Sequence, residues 1–295
     1  MTASLRLIVG FSSGSVSAQV ARTIAPALSK ALRREVAVEF APGENGTTAA
    51  HMVAGEAPNG DTLFVATLGT HALAPHVNHD LPYRPLQDFA PVSLVSQSPL
   101  VLAAHPSLGA ASVSELIVFA CKHPNVLTYG TSAVGGAPHL AAELFQDLAG
   151  IAMRHVRYDE TDRLYDDLEA GRISLSFNNV ASMLPRCRQG RLDALAITSA
   201  ERSSSAAGLP AIAETLAGYE VTNWVGLVAP AATATDVVDA LSRAVIEALQ
   251  DGSVAASFGE AGMLARGTTP REFGRFMEQE IRRWGPVVSR FRDTS

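Results

Sequence analysis

The stretch Leu5–Arg22, LRLIVGFSSGSVSAQVAR, decides the reading of this chain. An apolar run ends at Gly10-Phe11, a serine/glycine cluster follows, and apolar residues at helical spacing begin near Val16. That order spells strand, tight loop and helix N-terminus. The first N–H groups of a helix lack partners within it, and the helix dipole adds partial positive charge there, so such a turn collects anions. Ser12, Ser13, Ser15 and Ser17 surround Gly14 and multiply the donors. The same residues equally suit an ordinary strand–helix turn capped by serine. A phosphate loop would need a lysine absent here, and the glycine spacing is not that of a dinucleotide fingerprint.

The pattern repeats downstream. Val20, Ile24, Leu28 and Leu32 place one apolar face on a helix, and Val36–Phe40 alternates like a strand. The loop APGENG opens a helix running from Thr47 to about Glu56. A buried strand, Thr62–Ala66, then enters the small polar loop Thr67-Leu68-Gly69-Thr70 ahead of a further helical stretch. Three strand–loop–helix units in succession predict a parallel α/β sheet, whose ligands gather at the C-terminal strand ends.

Ala90–Ala104 is a long β-rich run interrupted at Ser98-Pro99, which suits a bent strand passing between domains. A second series of strand–helix units, including the loop Thr131–Gly136, extends to Thr198, and Val221–Ala229 is a candidate return crossing. The closing helices Thr235–Leu249, Ser253–Ala261 and Pro270 to about Arg290 have no strands of their own and are expected to pack on the first domain. Two crossings predict a discontinuous first lobe, 1–102 plus 225–295, a second lobe, 103–224, and a cleft at the hinge between them.

Composition narrows the function. A chain of 295 residues suggests two domains. With 23 Lys+Arg against 29 Asp+Glu and no basic cluster, nucleic acid is excluded as a partner. No window reaches the roughly 18 to 20 apolar residues of a membrane span. The N-terminus enters a strand at once instead of forming a signal peptide, so any export signal is expected to have been removed or left out. Cys121 and Cys187 read as buried free thiols, a disulfide staying open. His71, His76 and His79, with Asp80, read as surface polar residues rather than metal ligands, since His71 and His76 would lie about 140° apart on a helix. Asp166, Asp167 and Glu169 read as a solvated helix face, and Trp224 as hinge packing. His139 stands one loop beyond Thr131-Ser132, but no third residue orients a catalytic pair. It reads as structural or ligand-facing, and no catalytic residue, metal or cofactor is expected.

The series LIVGFSSGSVSAQVAR, VAVEFAPGENGTTAA, APNGDTLFVATLGTHALAP, LPYRPLQDFAPVSLV, LTYGTSAVGGAPHLAAELFQDLAG, NWVGLVAPAATATDVV and PREFGRFMEQEIRRWGPVV resembles the Bug, or TctC-like, extracytoplasmic solute receptors from end to end. The resemblance implies a type II periplasmic binding protein fold, an α/β architecture of two lobes. It further implies a monomeric, non-enzymatic periplasmic receptor that captures a small carboxylate for the membrane components of a tripartite tricarboxylate transporter, or that signals to a membrane sensor kinase. The ligand positions it implies are Phe11, Ser12, Ser13, Gly14, Ser15, Thr67, Gly69 and Thr70 in the first lobe. Thr131, Ser132, His139, Tyr158, Asn178 and Asn179 are those of the second. Gly10, Ser15 and Ala18 depart from the family's Pro, Gly and Asp, Asn45 stands where a glycine is usual, and Asn178 replaces an aspartate. Losing both acidic positions disfavours an α-amino acid, whose ammonium would want a carboxylate, and leaves room for an atypical ligand.

Overall fold

The computed structural model describes residues 4–132 and 136–292, with side chains through residue 289; residues 133–135 of the expected Thr131–Gly136 loop lie outside it. In chain order come β1 (Leu5–Val9), α1 (Val16–Leu32), β2 (Val36–Phe40), α2 (Thr47–Ala54), β3 (Thr62–Thr67), α3 (Ala74–Val77) and β4 (Phe89–Ala104). There follow α4 (Val113–Lys122), β5 (Thr128–Thr131), α5 (Ala137–Ala149), β6 (Arg154–Arg157), α6 (Thr161–Glu169), β7 (Leu175–Asn179), α7 (Val180–Arg188) and β8 (Asp193–Ile197). The chain closes with β9 (Thr222–Pro230), α8 (Thr235–Leu249), α9 (Gly252–Glu260), β10 (Leu264–Ala265) and α10 (Pro270–Arg292).

These elements form two units: Met1–Gln97 with Trp224–Gly259 and Met263–Ser295, and Ser98–Asn223 with Glu260–Gly262. The first boundary falls earlier than the expected 102/103. Ser96 and Gln97 of β4 pair with β10, whereas from Leu100 onward β4 pairs with β7. Residues 260–262 join the second unit, where Gly262 sits so close that a Cβ would lie 2.7 Å from the Cβ of Val180.

In the first unit β1 is flanked by parallel β2 and β3, and β9 runs antiparallel along β3. Every residue of β3 is buried, as a central strand covered on both faces requires. Helix α1 packs on β2 and α8, and α10 on α3 and the turn after β3. Trp224 and Trp284, both fully buried, donate their indole N–H groups to the same carboxylate oxygen, Oε2 of Glu280, at 3.0 and 3.1 Å. Trp224 is therefore a packing residue of the first unit, held to α10.

In the second unit β5 lies between parallel β6 and β7, and β4 runs antiparallel to β7 and β8. Tyr219 is buried there with its hydroxyl donating to the Ala141 carbonyl at 3.0 Å.

Three surface readings need correction. Cys121 is exposed, because α4 turns Val113, Leu116 and Ala120 inward and leaves its neighbour outside; Cys187 is half-buried, and both thiols are free. Asp167 and Glu169 are ion-paired rather than merely solvated, Asp167 with Arg163 and Arg172 and Glu169 with Arg186 and Arg191. His71 is fully buried and His76 half-buried, its Nε2 2.7 Å from the Ile281 carbonyl oxygen. Among the described residues no helix is long and apolar enough to cross a membrane.

Candidate functional site

In the first unit the loops after β1, β2 and β3 meet at one glycine. Gly46 has φ +88°, a left-handed conformation. A Cβ on it would fall 2.8 Å from Thr70 Cγ2 and 3.0 Å from Phe11 Cε2. Gly10 faces it from the first loop, where a Cβ would lie 2.7 Å from the Gly46 Cα. Two facing glycines thus let two backbones touch where a side chain would force them apart. Glu44 and Asn45 share the left-handed turn, at φ 45° and 57°; asparagine tolerates this conformation better than glutamate. The left-handed position at 45 is what the asparagine accommodates in place of the usual glycine.

Beside this junction stands the N-terminus of α1. Ser15 caps it, its Oγ accepting from the Ala18 N–H at 3.2 Å and lying 3.1 Å from Ser17 Oγ. Ser12, Ser13 and Gly14 are exposed, Phe11 and Ser15 half-buried. The first turn carries no acidic residue, so the dipole is not neutralised from within. Arg22, one and a half turns along, donates to the Ser13 carbonyl at 2.8 Å and stacks on Phe40. The sequence reading passed over this cation because its position depends on the helix bringing residue 22 back under residue 13.

At the end of β3, Thr67 and Thr70 cap each other: Thr67 Oγ1 accepts from the Thr70 N–H at 3.2 Å, and Thr70 Oγ1 from the Thr67 N–H at 3.0 Å. Thr70 Oγ1 also lies 3.0 Å from Nδ1 of His71. That imidazole is boxed by Phe64, Tyr83 and Phe89, with ring centroids 5.6, 6.0 and 4.9 Å away, and burial pushes its pKa down to about 3. Its Nε2 is buried with no hydrogen-bond partner among the described residues. The Tyr83 hydroxyl donates to the Thr70 carbonyl at 2.6 Å. Thr70 is therefore a loop-building residue with its hydroxyl turned inward, and Gly69 beside it is half-buried.

In the second unit, Thr131 ends β5 with its hydroxyl 2.7 Å from Nε2 of His155 on β6. Ser132 is half-buried and accepts from the Thr161 hydroxyl at 2.9 Å. Asn178 on β7 donates to Ser176 Oγ at 2.8 Å, and Ser176 in turn to the Gly130 carbonyl at 2.9 Å, so the amide is oriented from β5. Asn179 is half-buried at the α7 N-terminus and makes no side-chain cap there. His139 does not pair with Thr131; it stacks on His155, ring centroids 4.6 Å apart. The hydroxyl's imidazole partner is His155, which no local pattern marks because β6 meets β5 only through the sheet.

Tyr158 stands apart from this group. It lies in the second unit's apolar core, its hydroxyl donates to Asp167 at 2.9 Å, and burial together with that carboxylate pushes the phenol up to about 12. Its backbone N–H, however, donates to the Thr131 carbonyl at 2.9 Å and so steadies that strand end. Among the described residues no three His, Cys, Asp or Glu side chains converge as a metal site.

Each of the two α/β units brings polar side chains to the C-terminal ends of its strands, where open α/β sheets gather ligands, and similarity to known proteins places the chain among solute receptors. The chain belongs to the tripartite tricarboxylate transporter family receptors (TctC), which it matches over residues 20–292. It is 31% identical to Protein BugT of Bordetella pertussis over 288 residues, covering 96% of this chain and 88% of that protein. Among solved structures it resembles R. palustris Rpa4515 with adipate, at a TM-score of 0.83 and 34% identity, covering 98% of this chain and 97% of that one. MatC from Rhodopseudomonas palustris with bound malate gives a TM-score of 0.80 at 29% identity, covering 97% and 99%.

Proposed function

We propose that this protein is a periplasmic receptor that captures a small dicarboxylate or hydroxycarboxylate and presents it to the membrane components of a tripartite transporter. The observation that carries this reading is the junction at Gly46. It holds three loops together beside an exposed Ser12-Ser13-Gly14 turn at an acid-free helix N-terminus. In this reading one ligand carboxylate accepts from the backbone N–H groups of the Ser12-Ser13-Gly14 turn and the hydroxyls of Ser12, Ser13 and Ser15, beside Phe11. The Ser15 N–H is held by the Ser12 carbonyl, and the Arg22 guanidinium adds positive charge behind Ser13. The second unit carries its own binding face, in which Thr131, Ser132, Asn178 and Asn179 supply neutral hydroxyl and amide groups.

The adipate and malate bound by two similar proteins support an acidic ligand. An α-amino acid is disfavoured. Ala18 is fully buried where the family pattern has aspartate, and Asn178 is neutral, so neither position offers an ammonium its carboxylate. Titration calorimetry against a panel of mono-, di- and tricarboxylates, with amino acids as controls, tests the proposal. Saturable binding of a dicarboxylate is the expected result; binding of amino acids alone, or of no carboxylate, would overturn it.

A further inference from the structure

The second unit holds a group of aromatic rings for which carboxylate capture as such has no use. In the parallel register of β5 and β6, Tyr129 is opposite His155 and Thr131 opposite Arg157. Tyr129, Thr131 and His155 therefore share one face of the sheet. Helix α5 covers that face with His139. His155 stacks on both neighbours, at 4.6 Å and 15° from His139 and at 4.9 Å and 19° from Tyr129. Glu143 of the same helix accepts from the Tyr129 hydroxyl and from Gln146 Nε2 at 3.0 Å, and lies 3.7 Å from His139 Nε2. Gln146 in turn accepts the Met153 N–H at 2.6 Å, which ties α5 to the residue just before β6. A ring in contact with two neighbouring rings, one of them on the braced helix, has little freedom, and its Nε2 is aimed at one atom, the Thr131 hydroxyl oxygen.

We infer that His155 is the positioning residue that sets which way the Thr131 hydroxyl points, and that it thereby makes carboxylate capture by the second unit's face depend on pH. The inference rests on the proposed reading of Thr131 as a ligand-facing residue. A neutral imidazole with its lone pair on Nε2 draws the Thr131 proton toward itself and leaves only lone pairs for a ligand. An imidazolium carries hydrogen on both nitrogens, so Nε2 must donate; Thr131, itself buried, then accepts from His155 and its own proton is released for an anion acceptor.

The groups facing His155 are Tyr129 from β5, His139 and Glu143 from α5, and Arg157 on its own strand. Burial, then His139 and Arg157, hold its pKa below the usual histidine value, against an upward pull from Glu143. His139 is likewise held down by burial. Two stacked rings do not readily both carry charge, and His155, half-buried, is the less enclosed of the pair. Protonation of His155 is the event to which the rise in anion affinity is assigned.

The test uses adipate and malate as probes in titration calorimetry on the full chain, from about pH 7.5 down to about pH 5.5. The native protein should bind the better probe about threefold or more tightly at the acid end, beyond the change carried by His155→Gln. His155→Gln keeps a hydrogen bond to Thr131 but cannot titrate, and should bind with a flatter profile. An unchanged pH profile in His155→Gln overturns the inference while leaving the capture reading intact; failure of either probe to bind the native protein at any pH overturns both. If His155→Gln does not fold, an NMR titration of the native imidazoles decides: saturating probe should raise the His155 midpoint, and an unmoved midpoint refutes the proposal.

Discussion

Gly10→Ala is the sharpest test of the junction at Gly46. The added methyl would sit 2.7 Å from the Gly46 Cα and 2.9 Å from its carbonyl oxygen. Both are backbone atoms, so no flexible side chain can swing aside; the loops after β1 and β2 must separate instead. Overpacking of this kind costs about 1–3 kcal/mol, and movement of a backbone rather than a rotamer places it toward the upper end. Gly14→Ala is the internal control: an added Cβ there meets nothing within 4 Å, and the residue is exposed. It should change stability by no more than about 0.5 kcal/mol. The chain has two tryptophans, Trp224 and Trp284, and both are buried in the first unit, so urea unfolding followed by tryptophan emission reads that unit selectively. Gly10→Ala should lower the urea midpoint and weaken dicarboxylate binding in calorimetry, since the anion turn loses its support. A midpoint equal to that of Gly14→Ala would refute the close packing on which the site is built.

Thr70→Val and Ser13→Val should separate loop building from ligand contact. The first removes a buried capping hydroxyl and should cost about 1–2 kcal/mol of stability in urea melts; the second should leave the melt unchanged and weaken carboxylate binding by about 1 kcal/mol or more in calorimetry. Glu280→Leu removes the one oxygen to which both indoles donate. A loss of about 1–3 kcal/mol and an altered near-ultraviolet tryptophan spectrum are expected, and an unchanged spectrum would contradict the shared hydrogen bond. His71, with its folded-state pKa pushed down to about 3 from an unfolded value near 6.5, makes the unfolded chain the better proton acceptor in between. Its contribution to stability is therefore complete above about pH 6.5 and drains away as the pH falls toward about 3. His71→Phe should flatten that part of the acid-unfolding curve, and an identical acid slope in the variant would show that His71 is not its source.

Much of the secondary structure was legible because it is local. The apolar spacing of Val20, Ile24 and Leu28 marks the buried side of α1, and Val36–Phe40 is read as a strand from its alternation. The unbroken burial of Thr62–Thr67 fits a strand that reads as one apolar run, and the cap at Ser15 is carried by a side chain three residues from the N–H it serves. The small polar loop after β3 was legible as a loop, but not as a π-helical turn built on a reciprocal threonine cap over a buried histidine. His71 looked like a surface residue because its box comes from Phe64, Tyr83 and Phe89, which stand 7, 12 and 18 positions away along the chain and meet it only in the folded unit.

The sequence by itself determined the α/β class, the strand–loop–helix order and the serine-capped helix start at Leu5–Arg22, since these rest on periodicity and capping. Tertiary structure alone decided which hydroxyls are available. It spent that of Thr70 on a cap and that of Tyr158 on Asp167, and it set Thr131 against His155. The physical reason is the range of the interactions. A helix cap spans three residues, whereas a hydrogen bond across a sheet joins positions 24 apart in the chain and depends on a register that no local pattern encodes.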